Sequence, residues 1–145
     1  MNVKFVFAIL TASLLAAGCA TTQDTAQPST TPAEAPTMLT GEEIRSLISG
    51  NTVEGKDSYG YYFKGYHALD GTVSATSEKG SKTYQSTGTW QIKGNTFCVN
   101  WANKDWKSGC ATYAKNGESY QYKSTLAGSP SIPAAKVVNG NPHNL

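Results

Sequence analysis

The stretch Gly88-Thr89-Trp90-Gln91-Ile92-Lys93-Gly94-Asn95-Thr96-Phe97-Cys98-Val99-Asn100-Trp101 alternates large apolar and polar side chains on both sides of a Gly-Asn pair. Trp90 and Ile92 share one face before the break, and Phe97, Val99 and Trp101 share one after it. A period of two is the signature of a half-buried strand, and a two-residue glycine turn between two such runs makes a β-hairpin. The same pattern extends outward. Asp70-Gly71, Asn116-Gly117 and Asn139-Gly140 supply further turn dipeptides. The spacing predicts strands near 51–55, 59–67, 72–77, 82–93, 96–102, 108–114, 118–124 and 134–138. The expected fold is mainly β, a small antiparallel meander of about eight strands curled into a barrel or half-barrel, lipocalin-like in outline.

Face assignment follows from parity. Tyr59, Tyr61 and Phe63 fall together, and they join Trp90, Ile92, Phe97, Val99 and Trp101 as the expected core. Gly88 beside Trp90 leaves room for a bulge or for a neighbouring ring. A hairpin centred on Lys104 sets Phe97 opposite Ala111 and Cys98 opposite Cys110, with Tyr113 on the core face. Directly opposed antiparallel residues lie ~4.5–5.5 Å apart at Cα, within disulfide range. An oxidising compartment would close the Cys98–Cys110 bridge, worth roughly 3 kcal/mol by loop entropy.

One helix precedes the strands. Thr40 as N-cap with Glu43 three residues on forms a capping box, and Leu39 is placed to staple onto Ile44. Ile44, Leu47 and Ile48 make one apolar face, Glu42 and Glu43 suit the first turn, and Gly50 ends the run. A helix this short is marginal alone, so it should pack on the end or edge of the sheet.

The amino terminus reads as a leader. Lys4 precedes the apolar runs Phe5-Val6-Phe7-Ala8-Ile9-Leu10 and Leu14-Leu15-Ala16-Ala17, followed by Gly18-Cys19. That length suits a secretory h-region rather than a membrane span. Leu15-Ala16-Ala17-Gly18-Cys19 resembles the lipobox of bacterial lipoproteins. The resemblance implies cleavage after residue 18 and a lipid anchor on Cys19, and Ala20 after the cysteine implies delivery to the outer membrane, on its periplasmic face. Residues 19–37, rich in Thr, Pro and Ala, cannot offset the entropy of ordering and read as a tether. The folded domain is expected over residues 38–145.

Composition narrows the partners. The 145 residues carry 12 basic and 10 acidic side chains, and 15% of them are charged. The lysines are scattered rather than gathered into a patch, so no nucleic-acid partner is expected. No P-loop, dinucleotide fingerprint or zinc spacing occurs, and neither cofactor nor metal is expected. His67 lies three residues before Asp70, as a base and its orienter would, yet no nucleophile elbow accompanies them, and His67 reads as a strand-end surface residue. Glu54, Asp57, Asp70, Glu78, Asp105 and Glu118 fall in or beside turns and edges, where carboxylates are ordinarily solvated.

The 8 tyrosines together with Trp101 and Trp106 could line a pocket, although aromatic residues more often fill a small β core. Trp106 stands apart, in a loop between Lys104 and Lys107, as a contact point for a partner, peptidoglycan or a membrane. The candidate contact residues are therefore Tyr61, Phe63, Trp90, Trp101 and Trp106.

The succession Leu39-Thr40-Gly41-Glu42-Glu43-Ile44, Gly50-Asn51-Thr52-Val53, Tyr62-Phe63, Asp70-Gly71-Thr72-Val73, Gly88-Thr89-Trp90, Phe97-Cys98-Val99-Asn100-Trp101 and Cys110 resembles a family of small secreted proteins of unknown function from rhizobia and related proteobacteria. The resemblance covers residues 39 to about 125 and implies no catalytic residue. The expected function is that of a non-enzymatic outer-membrane lipoprotein whose periplasmic β domain serves envelope maintenance or a protein contact. A ligand-binding barrel with a tyrosine- and tryptophan-lined pocket, or an inhibitor of a cell-wall hydrolase, are the alternatives.

Overall fold

A computed structural model describes residues 35–145; the leader, Cys19 and all but the last residues of the tether lie outside the described residues. In chain order the elements are β1 (Thr37–Met38), α1 (Gly41–Ile48), β2 (Asn51–Lys56), β3 (Tyr62–His67), β4 (Thr72–Lys79), β5 (Lys82–Lys93), β6 (Thr96–Trp101), β7 (Gly109–Asn116), β8 (Ser119–Ser124) and β9 (Ile132–Asn139). Strands β2 to β9 each pair antiparallel with the next, and β9 returns to β2, with Asn51 opposite Asn139. The sheet is a closed, eight-stranded, up-and-down barrel. Closure leaves no edge strand exposed along the wall.

The turns do most of the expected work. Gly71, Gly94 and Gly117 all take positive φ, the conformation their hairpins require. Asn139-Gly140 differs: it ends β9 and leads into the C-terminal tail, where Gly140 N donates to Asn51 Oδ1 and the Gly140 carbonyl accepts from Thr52 Oγ1. The strand expected from residue 59 begins only at Tyr62, because the Asp57 carboxylate accepts hydrogen bonds from the amides of Tyr59 and Tyr61 and holds that segment as a turn. At Gly88 the space is taken neither by a bulge nor by a ring. A Cβ there would collide with the carbonyl oxygen of Asn100, so β6 backbone crosses close over β5 where β5 passes from β4 to β6.

Strand β9 carries the one irregularity in the pairings. Tyr122 faces Ile132 while Tyr120 faces Ala135, so one extra residue is absorbed beside Pro133. A bulge is where a strand tolerates proline.

Helix α1 closes one end of the barrel. Its capping box is formed, with Thr40 N donating to Glu43 Oε2 at 2.8 Å and Glu43 N to Thr40 Oγ1 at 3.3 Å. Ile44 and Ile48 are fully buried, and the helix packs against β2, β5 and β6. Gly41 is pressed so tightly against the β5–β6 turn that a Cβ would collide with the Gly94 carbonyl, and its amide donates to Asn95 Oδ1. Thr37, the last residue assigned to the tether, lies in β1, which pairs with Ala114 and Lys115 of β7.

Candidate ligand-binding site

Inside the barrel the side chains divide into a packed floor and an open upper half. Phe97 is the centre of the floor. Its ring lies 5.2 Å from His67 and 6.2 Å from Tyr113, both edge-on, and is stacked on Trp90 at 6.2 Å, centroid to centroid. Ile44, Ile48, Val53 and Val73 fill the space between this cluster and the helix.

Above the floor is a cavity of about 530 Å³. It opens at the end opposite α1, between the loops that join β2 to β3, β6 to β7 and β8 to β9. Its walls come from Tyr61, Phe63, Tyr84, Trp101, Trp106 and Tyr122. Volumes of about 300–1,000 Å³ lined chiefly by apolar and aromatic groups are typical of small-molecule sites, and an eight-stranded barrel is just wide enough to hold one.

The wall residues carried on strands are placed by parity. Tyr61, Phe63 and His67 alternate inward ahead of and along β3, and Val99 and Trp101 do so along β6. Trp106 comes from a loop. Asn103 folds that loop back on itself, its Oδ1 accepting from Asp105 N and its carbonyl from Trp106 N. Trp106 thereby lands on Trp101, with centroids 4.8 Å apart, and against Phe63 at 6.4 Å. The expected exposed contact residue is instead a half-buried part of the cavity wall.

The rim is tied together by hydrogen bonds between loops. The Gly128 carbonyl accepts from Tyr59 OH at 3.1 Å and from Lys107 Nζ at 3.0 Å, and Lys79 Nζ donates to the Tyr59 carbonyl at 2.8 Å. Lys79 also lies over the Tyr61 ring, which meets Tyr84 edge-on at 6.1 Å. Lys107 is the one lysine or arginine among the lining residues described, and it is committed to Gly128.

Of the five candidate contact residues, Tyr61, Phe63, Trp101 and Trp106 converge on the cavity. Trp90 does not. It is 6% exposed in the floor, donates Nε1–H to the Ala68 carbonyl at 3.1 Å and lies beneath the Arg45 guanidinium. The Cys98–Cys110 bridge is present, in the register centred on Lys104. Cys98 alternates with the inward Phe97 and Val99, so the bridge lies on the outside of the wall that carries Trp101.

His67 corrects the sequence expectation most strongly. It is 2% exposed, lines the cavity at its floor, and its Nδ1 has no hydrogen-bond partner among the described residues. Burial pulls its pKa down to about 4, although hydrogen bonding to the backbone of Asn51 and Gly65 works the other way. The ring is neutral at physiological pH. Parity could have found it, since His67 shares the face of Phe63. Burial likewise holds the phenols of Tyr113 and Tyr122 protonated, the latter with its pKa raised to about 12. Asp70, by contrast, faces solvent, and its carboxyl is lowered by hydrogen bonds from the Thr72 side chain and amide rather than by His67. Glu54 is not free in solvent: its Oε2 meets His143 Nε2 of the C-terminal tail at 2.9 Å on the outer face.

The geometry defines an antiparallel barrel floored by a helix, with one aromatic cavity open at the other end. No family model, curated protein or solved structure matches the chain.

Proposed function

We propose that this protein is a lipid-anchored envelope protein whose barrel binds a small, largely apolar molecule. The observation that carries the reading is the cavity of about 530 Å³, walled by rings and ending on a packed floor. A barrel that served only as a rigid spacer or contact surface would gain stability by filling that volume, because apolar cavities cost roughly 20 cal/mol per Å² of their surface. Binding rather than catalysis is the role in this proposal, with specificity set by shape and a few polar atoms.

The lipobox ending at Cys19 supports anchoring in a membrane, and Ala20 supports the periplasmic face of the outer membrane as its place. Kinship with bacterial lipoproteins and with small secreted proteobacterial proteins belongs to the same proposal. A barrel held there by a tether would meet apolar compounds crossing the envelope, where water disfavours them.

Titration of the full chain in detergent micelles with the neutral fluorophore N-phenyl-1-naphthylamine, with micelles alone as the blank, tests the reading. Saturable quenching of tryptophan emission at one probe per chain is expected, and Ser77→Phe, which places a ring in the cavity, should abolish it. Quenching that rises linearly and equally in both proteins would overturn it.

A further inference from the structure

The cavity carries charge only at its entrance. Of the residues that line it, Asp57, Asp105 and Lys107 hold the formal charges, and all three stand in the loops at the mouth. Below them Val53, Phe63, Phe97 and Val99 present only carbon. His67, Tyr113 and Tyr122 are held neutral there by burial, and His67 Nδ1 is sealed off from the open space. An ionised group pushed to that depth would lose its water with no opposite charge to meet it. A ligand with one charged end therefore enters apolar end first and leaves the charge at the mouth.

The mouth is basic. Lys56 and Lys79 converge on Gly60 of the β2–β3 loop, their Cε atoms 3.8 and 4.0 Å from the position a Cβ would take. Lys82 follows the β4–β5 turn at the same end, and Lys104 and Lys107 belong to the β6–β7 loop. Against these five stand Asp57, whose Oδ1 already accepts two amides, and Asp105, while Glu78 is paired with Lys64 at 3.1 Å. The ion pairs among the described residues are Lys64–Glu78 and His143–Glu54, so none of the five lysines has a carboxylate at contact distance. Two donors also meet at one point: Lys107 Nζ and Tyr59 OH both donate to the Gly128 carbonyl, at 3.0 and 3.1 Å. An ammonium has three N–H groups, and this contact uses one of those on Lys107.

We propose that the ligand of the barrel is an organic acid with an apolar body and a single anionic end, seated body first, with its anionic oxygen bound at the mouth by Lys107. This inference rests on the binding role proposed above and adds the class of ligand. Tyr59 stands beside Lys107 as a second donor, and the other lysines of the mouth supply a positive field that draws the anion in.

Three twelve-carbon probes that differ only in the head test it: dodecanoate, 1-dodecanol and dodecyltrimethylammonium. The full chain is held in phosphatidylcholine nanodiscs at pH 8, with empty nanodiscs as the blank. Dodecanoate should bind about tenfold more tightly than 1-dodecanol, and the cation should bind least. Lys107 is exposed, so Lys107→Gln leaves the fold intact, and it should bring dodecanoate down to the affinity of 1-dodecanol. With ¹³C in the terminal methyl of dodecanoate, nuclear Overhauser contacts from that methyl to Phe97 and Val99 are expected, a readout that needs no variant. Dodecanoate binding no tighter than 1-dodecanol, unchanged affinity in Lys107→Gln, or a terminal methyl that contacts Tyr59 and Lys107 instead would each overturn this ligand class and leave the binding role standing. Failure of all three probes to bind above the blank would overturn both.

Discussion

At the scale of single residues, His67 ties stability to pH. Its pKa in the folded protein is about 4, against 6.5 for an ordinary histidine, so between these values the unfolded chain binds more protons. Stability is therefore full above pH 6.5 and falls as the pH drops toward 4, by about 3 kcal/mol in all. Denaturant unfolding of the wild type at pH 7 and pH 5 should show about 2 kcal/mol of that loss, and His67→Phe should remove most of it. An equal loss in the variant would place the sensitivity elsewhere, for Glu43 and Asp70, whose carboxyls are lowered by their threonine partners, contribute only at more acidic pH. The inward position of His67 was legible in the alternation that put Phe63 inside. Its nearness to the turn at 68–71 pointed the other way, because a strand end usually meets water. That expectation fails at the end of the barrel that α1 covers. Trp106 misleads for the converse reason: its lysine-flanked loop reads as exposed, and only the tertiary contact with Trp101 brings it in.

At the scale of elements, local chemistry was readable and accounts for most of the strand boundaries. Two-residue turns fix the β5–β6 and β7–β8 hairpins, with Lys93 opposite Thr96 and Asn116 opposite Ser119. The capping box fixes the start of α1. The β6–β7 hairpin is held by three residue pairs, one of them the disulfide. It is also the hairpin whose loop carries Trp106 over the cavity. Cys98→Ser should therefore cost roughly 3 kcal/mol of stability under oxidising conditions. Chemical unfolding with and without a reductant checks this: the difference between wild type and variant should vanish once the bridge is reduced, and an equal difference in both conditions would mean that the serine itself disturbs the wall. What local chemistry could not place was the beginning of β3, where a single carboxylate, Asp57, captures two amides and converts expected strand into turn.

At the scale of the whole molecule, the decisive contact is also the least legible. Closure depends on β9 pairing with β2, which brings Asn139 beside Asn51 from the far end of the domain, and no periodic pattern encodes so distant a register. The bulge at Pro133 lets β9 satisfy β8 and β2 together. Closure turns a set of inward aromatic residues into an enclosed space, so the pocket could be suspected from the tyrosines and tryptophans but not located. The proposed anchor belongs to this scale too. Mass spectrometry of the mature protein should find a chain that starts at Cys19 and carries acyl mass on that residue; an unmodified amino terminus at or beyond Cys19 would refute lipidation. The central claim is that the cavity between Trp101 and Tyr122 is a binding site. A crystal structure of the full chain grown with N-phenyl-1-naphthylamine tests it most directly: probe density inside the barrel against Trp101, Trp106 and Phe63 is the result expected, and a barrel whose rings have closed on an empty centre, with probe absent or on the outer surface, would contradict it.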